Sequence, residues 1–165
     1  MFNKILISTL SVGLVAGAAL AEETPIKSIE VTADIAAIEN AEAATFWGNL
    51  ESDLEAAIAA EIAPDRLVGA EGEGSEIKVD VDEIALSDTW ATVTDLGESR
   101  LVGQVNVTSQ TDNSKFDGYE LSVAFKDAIV FLPEGADVTL LTRDSAEYYA
   151  AMLQAFAEHV VDRLK

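Results

Sequence analysis

The stretch AATFWGNLESDLEAAIAAEI, from Ala43 to Ile62, sets the problem that the rest of the chain must solve. Phe46, Leu50, Leu54, Ile58 and Ile62 recur at every fourth residue, with Ala43, Trp47, Ala57 and Ala60 beside them. Glu51, Ser52, Asp53, Glu55 and Glu61 fall on other faces. This spacing predicts an amphipathic helix over 43–62, because a helical turn brings positions four apart onto one stripe. Asn40 or Thr45 can serve as its N-cap, Glu42 suits its first turn, and Pro64 stops it. An apolar stripe of this length needs a cover, and segments on either side have the pattern of a half-buried sheet.

Upstream, residues 26–35 have period two, with Ile29, Val31, Ala33 and Ile35 on one side and Ser28, Glu30, Thr32 and Asp34 on the other. Downstream, Leu67 to Ala70 reads as a short extended piece that leads into a turn at Gly69, Gly72 and Gly74. Those glycines do not read as a phosphate loop: no GKS or GxGxxG ending is present, no basic residue lies among them, and Glu71 and Glu73 would repel a phosphate. Residues 76–88 alternate again, Ile77, Val79 and Val81 against Lys78, Asp80 and Asp82. A change of phase at Glu83, read as a β-bulge, lets Ile84 and Leu86 continue the apolar set. Trp90 to Asp95 is read as a turn or short strand, and 96–98 as a turn. Residues 100–110 and 119–126 alternate as a pair of strands, which predicts an antiparallel hairpin turning at Thr111 to Ser114 or at Asp117-Gly118. Ala128 to Leu132 is an apolar run ended by Pro133, read as an extension of that strand or one more. A second helix then follows an N-cap at Asp144 or Ser145, with Tyr149, Met152, Leu153, Phe156, Val160 and Leu164 on its apolar face.

The predicted order is β-α-β-β-β-α. Strands that alternate are covered on one face only, and the two helices are the covers available. The fold class is therefore α+β: a two-layer sandwich with a mostly antiparallel sheet of four to five strands and two helices on one face, built by residues 22–165 as a single domain. In this order of elements the chain resembles small periplasmic proteins such as the lipopolysaccharide-assembly lipoprotein of Gram-negative outer membranes. The resemblance implies two helices packed on a four-stranded sheet and an envelope role. It carries no functional residue, and the chain differs from that family in having no lipidation Cys and in its acidity.

Residues 1–21 read as a cleaved signal peptide: Lys4 supplies the positive start, Ile5 to Val15 the apolar run, and Ala19-Leu20-Ala21 the small-residue cleavage site. The expected location is the periplasm, with no membrane insertion after cleavage. The chain has no cysteine, which excludes disulfides, thiolate metal sites, CxxC redox chemistry and a Cys nucleophile. Its formal charge is −20, and losing Lys4 makes it one unit more negative. Such a surface repels polyanions, so nucleic acid and anionic lipid headgroups are not expected partners. A basic protein or a cation suits it better.

The catalytic inventory is thin. His159 is the one histidine and lies near the end of the second helix, where a protonated imidazole complements the helix dipole. Paired carboxylates such as Asp80 with Asp82, or Glu71 with Glu73, are expected by chance in a chain with 30 acidic residues. The expectation is a protein without enzymatic activity and without a cofactor. It would bind another envelope protein through a strand edge or through the uncovered face bearing Glu30, Thr32, Asp80, Asp82, Gln104, Asn106, Glu120 and Ser122. The alternative is a small-ligand or divalent-cation module, in which Asp80, Asp82 and Glu83 hold a hard ion such as Ca2+ or Mg2+.

Overall fold

Asn40 caps the first helix as its residue type favours, its side-chain oxygen accepting from the backbone N–H groups of Glu42 and Ala43, both at 3.0 Å. The computed structural model describes residues 24–92, 95–109 and 116–164. The signal-peptide reading of residues 1–21 and the turn expected at 111–114 lie outside them. The elements are β1 (Ile26–Thr32), α1 (Ala41–Phe46), α2 (Leu50–Glu61), β2 (Ser75–Val81), α3 (Glu83–Thr92), β3 (Arg100–Ser109), β4 (Asp117–Ala124), α4 (Phe125–Ala128) and α5 (Ala146–Asp162).

The strands form one four-stranded sheet in the order β1-β2-β3-β4. β1 runs parallel to β2, and the other neighbours are antiparallel. The α+β class expected from the alternation is what the chain adopts, with the helices packed on the sheet. Ile77, Val79 and Val81 of β2 and Leu101, Val105 and Val107 of β3 are buried beneath the helices. From α2 come Leu50, Leu54 and Ile58, each fully buried; from α5 come Tyr148, Met152, Phe156 and Val160. Gly103 admits the α5 layer to the sheet, because a Cβ there would lie 3.2 Å from Phe156 Cζ and 3.2 Å from the Asp80 carbonyl oxygen. At one end of the helix layer Phe46, Trp47, Trp90, Tyr148 and Tyr149 form an aromatic cluster joining α1, α3 and α5, with Phe46 4.9 Å from Trp47 and 5.2 Å from Trp90 between ring centroids.

Four local expectations are corrected. The helix over 43–62 is two segments, α1 and α2, with a turn at 47–49 where Leu50 N–H donates to the Trp47 carbonyl at 2.9 Å. Gly48-Asn49 are poor helix formers, and the break leaves the stripe of α2 intact. The strand expected to continue through Glu83 to Asp88 is instead α3. Leu86 and Trp90, four apart, are both buried, and Asp82 caps the helix by accepting from Ala85 N–H at 3.0 Å. The Ala128 to Leu132 run is the end of α4 and a 3-10 turn at Ile129–Phe131 rather than a strand. Asp117-Gly118 is paired within β4, opposite Val107 and Asn106, and is not the hairpin turn. Gly69 does turn the chain, with φ at +71°.

Candidate functional site

Because the helices lie on one side, the other face of the sheet carries the polar residues of each strand in register. Thr32, Asp80, Gln104 and Glu120 are consecutive partners across β1, β2, β3 and β4. Glu30, Lys78, Asn106 and Gly118 make the next row, and Ser28, Glu76 and Thr108 the one beyond. Ser122 stands opposite Val102 at the end of β3. Of the residues expected on this face, the structure gathers Glu30, Thr32, Asp80, Gln104, Asn106, Glu120 and Ser122. Asp82 lies just past the end of β2, at the rim.

Charge is distributed unevenly over the face. Toward β1, Lys78 Nζ lies 2.8 Å from Glu30 Oε2 and Lys27 Nζ 3.6 Å from Glu76 Oε1. The hydrogen bond to Glu30 and its negative charge raise the Lys78 pKa, which keeps this lysine cationic. Thr32 Oγ1 donates to Asp80 Oδ1 at 3.1 Å. Toward β4 the balance is acidic. A shallow depression of about 240 Å³ is lined by Asp80, Asp82, Glu83, Gln104 and Glu120 together with Val81, Val102 and Gly103, and no Lys or Arg lines it. A second, about 250 Å³, lies over Glu30, Thr32, Lys78, Asp80 and Asn106.

The acids proposed for a metal are occupied separately. Asp80 faces Thr32, Asp82 caps α3, and Glu83 Oε1 accepts the Asp34 backbone N–H at 2.5 Å. Among the described residues no group of three His, Cys, Asp or Glu side chains is placed to hold a metal ion. His159 is exposed, with Nδ1 2.6 Å from the Ala155 carbonyl of its own helix. Glu71 and Glu73 lie exposed beside the glycine turn.

The two sheet edges differ in a way the sequence reading missed. On the outer side of β1, Val31 N–H donates to Glu55 Oε1 at 3.0 Å and Ala33 N–H to Glu51 Oε1 at 2.9 Å. Val68 N–H donates to the Ile26 carbonyl at 3.0 Å, next to an isolated parallel bridge between Ile26 and Leu67. Glu51 and Glu55 looked like the solvated flank of an amphipathic helix. Their separation by one turn was the only signal, and it does not reveal that β1 passes beneath them.

The phase of β4 follows from its neighbours. Asp82 N–H donates to the Val102 carbonyl, so even-numbered residues of β3 turn their backbone groups toward β2 and odd-numbered ones toward β4. The β4 partners of those odd residues, Asp117, Tyr119, Leu121 and Val123, therefore bond inward. Phe125 N–H, which donates to the Ser99 carbonyl, keeps the same phase. The backbone groups of Gly118, Glu120 and Ser122 point outward, and among the described residues none has a hydrogen-bond partner.

Among the described residues this arrangement defines a class: an α+β sandwich with one bare acidic sheet face, one sealed edge and one unpaired edge. Compared with known families, curated proteins and solved structures, the chain matches none. No helix among the described residues is long and apolar enough to cross a membrane.

Proposed function

We propose that this is an exported, acidic envelope protein that acts by binding another protein, without catalysis, through its uncovered sheet surface. The observation that carries this reading is the bare face itself. Helices cover one side of the sheet, while the other presents an in-register polar row of Thr32, Asp80, Gln104 and Glu120. A flat surface of several strands with shallow depressions suits a protein partner better than a small molecule, which is usually held in a deep, largely enclosed site. Export is supported by the pattern of residues 1–21, and a basic partner by the formal charge of −20.

The test places a photo-cross-linking residue at Gln104 on the bare face and, as a control, at Glu158 on the solvent side of α5. Both are expressed with the leader in a Gram-negative host, and envelope extracts are irradiated. A discrete cross-linked band from Gln104, absent from Glu158 and diminished by Glu120→Lys, is the expected result. Equal labelling at the two positions, or no band at Gln104, would remove the reading.

A further inference from the structure

The unpaired edge of β4 carries more than the bare face does, because it fixes both the geometry and the chemistry of an occupant. Natural sheets blunt exposed edges with covering chain or inward charges, since an open row of N–H and C=O groups pairs readily with another strand. Among the described residues β1 is blunted and β4 is not. We infer that β4 takes up an extended segment of a partner protein as a fifth strand, and that this segment alternates basic with apolar side chains. The inference rests on the protein-binding reading above and narrows it to one edge.

The alternation follows from the pleat. Side chains of an added strand fall in turn on the two faces of the sheet. On the bare side they would stand beside Glu120 and Ser122, next to a depression lined by Asp80, Asp82, Glu83 and Glu120, where Lys or Arg is the complementary choice. On the helix side they would flank Tyr119 and Leu121. Those two are only half-buried, whereas Ile77, Val79 and Val105 on the inner strands are fully buried; the Arg163 guanidinium lies over the Tyr119 ring, 3.8 Å from its centroid, so the apolar contact left for an added strand on this side is chiefly Leu121. Phe116, just before β4 and 65% exposed, lies on the bare side instead, where a Cβ on Gly118 would come within 3.8 Å of its ring. A second copy of this chain fits poorly. An antiparallel β4–β4 pairing centred on Glu120 would set that carboxylate against its own copy, between two chains of formal charge −20 each.

The experiment uses the chain without residues 1–21 and three synthetic peptides of about ten residues, long enough to span β4. One alternates Lys with Val, one has the same composition in two blocks, and one alternates Glu with Val. Affinity is read by fluorescence anisotropy, and amide hydrogen exchange is read at each β4 position. The expected result is that the Lys/Val peptide binds at least about tenfold tighter than either control, with affinity falling as salt is raised. Its binding slows exchange at Gly118, Glu120 and Ser122. Ser122→Pro, which removes an outward N–H at an edge position where proline is tolerated, weakens binding about tenfold or more. Glu120→Lys weakens it through charge. If Ser122→Pro proves unfolded by circular dichroism, exchange in the unsubstituted chain decides alone. Failure of the Lys/Val peptide to bind overturns the inference. So does binding that leaves the amides of Gly118, Glu120 and Ser122 unprotected, which would be attraction to the acidic face only. Either result leaves the protein-binding reading intact, since that reading stands or falls on cross-linking at Gln104.

Discussion

At the β1 edge the outward N–H groups of Val31 and Ala33 are bonded to Glu55 and Glu51 of α2, whereas at β4 those of Gly118, Glu120 and Ser122 have no partner among the described residues. Connectivity explains the contrast. β1 and β2 are parallel neighbours, so the chain between them must cross over the sheet, and the crossover brings α2 alongside β1. A helix in that place can hang carboxylates over the strand's flank. β4 has no crossover: after Ala124 the chain turns directly into α4, with Phe125 buried, and then runs on toward α5. An edge is sealed when the topology leaves a helix beside it, and among the described residues only one edge has such a helix.

The largest expected effect comes from pulling away the helix that makes the seal. Leu54 lies fully buried in the stripe of α2, so Leu54→Ala should cost roughly 2–5 kcal/mol in urea unfolding through lost transfer energy and the cavity left behind. If the seal depends on α2 being seated, exchange at the Val31 and Ala33 amides should speed up as well. Unchanged protection at those two amides would show that the glutamates hold β1 independently of the core beneath.

Next in size is removal of the seal itself. The Val31 N–H is partly buried, and leaving it unpaired in Glu55→Ala should cost roughly 1–3 kcal/mol. Glu51→Ala, whose bond to Ala33 is exposed, should cost less. The double variant should also self-associate in light scattering, since it has two open edges in place of one. By contrast Ser122→Ala at β4 should stay within about 0.5 kcal/mol of the unaltered chain. A double variant that remained monomeric and as stable as the parent would show the two edges to be equivalent after all.

A smaller effect concerns the tie between α2 and α5. Tyr149 donates from its hydroxyl to Asp53 Oδ2 at 2.9 Å, and burial followed by the bond to that carboxylate raises the phenol's pKa above its ordinary 10.0. The neutral phenol is thus the form the fold favours. Its contribution is complete below the unfolded value and is lost as pH rises through the higher folded value, because the unfolded chain releases the proton first. Unfolding titrations should show stability falling above pH 10.0, with Tyr149→Phe flattening that limb and costing roughly 0.5–1.5 kcal/mol at neutral pH. Burial raises the pKa of Tyr148 and Tyr119 as well, so part of the alkaline limb should survive. An identical limb in the Phe variant would mean that Tyr149 titrates alike folded and unfolded.

What could be read from the chain follows the same division between local pattern and long-range arrangement. Period two gave the inward set of β3 and of β4 correctly, Leu101, Val105 and Val107 against Tyr119, Leu121 and Val123, and so located the bare face. The stripe of α2 and much of the face of α5 were equally plain. Residues 83–92 were misread because Ile84 and Leu86 sustain an alternation over a few positions. The Leu86 and Trp90 spacing and the capping carboxylate of Asp82 carry the decision for a helix. On α5 the fully buried anchor is Tyr148, while Tyr149, the residue assigned to the stripe, lies at its margin and reaches Asp53. The parallel pairing of β1 with β2 and the contrast between the edges had no local signature. Both depend on which elements become neighbours, and no periodicity within a segment encodes that.

The smallest expected effect tests the acids at the rim past β2, where Asp80, Asp82 and Glu83 suggested a cation site. In the fold Asp82 holds the first turn of α3 and Glu83 holds the Asp34 N–H, so each carboxylate already accepts a hydrogen bond with a structural role. An ion drawing these groups together would have to release them. Ca2+ or Mg2+ titrated at fixed ionic strength is therefore expected to leave the melting temperature unchanged beyond general screening. A saturable rise specific to one ion, abolished by Asp80→Asn, would mean that the rim rearranges around a metal. A bound dication would also cancel much of the negative charge beside Glu120, and the preference of the β4 edge for a basic strand should then weaken in proportion to occupancy.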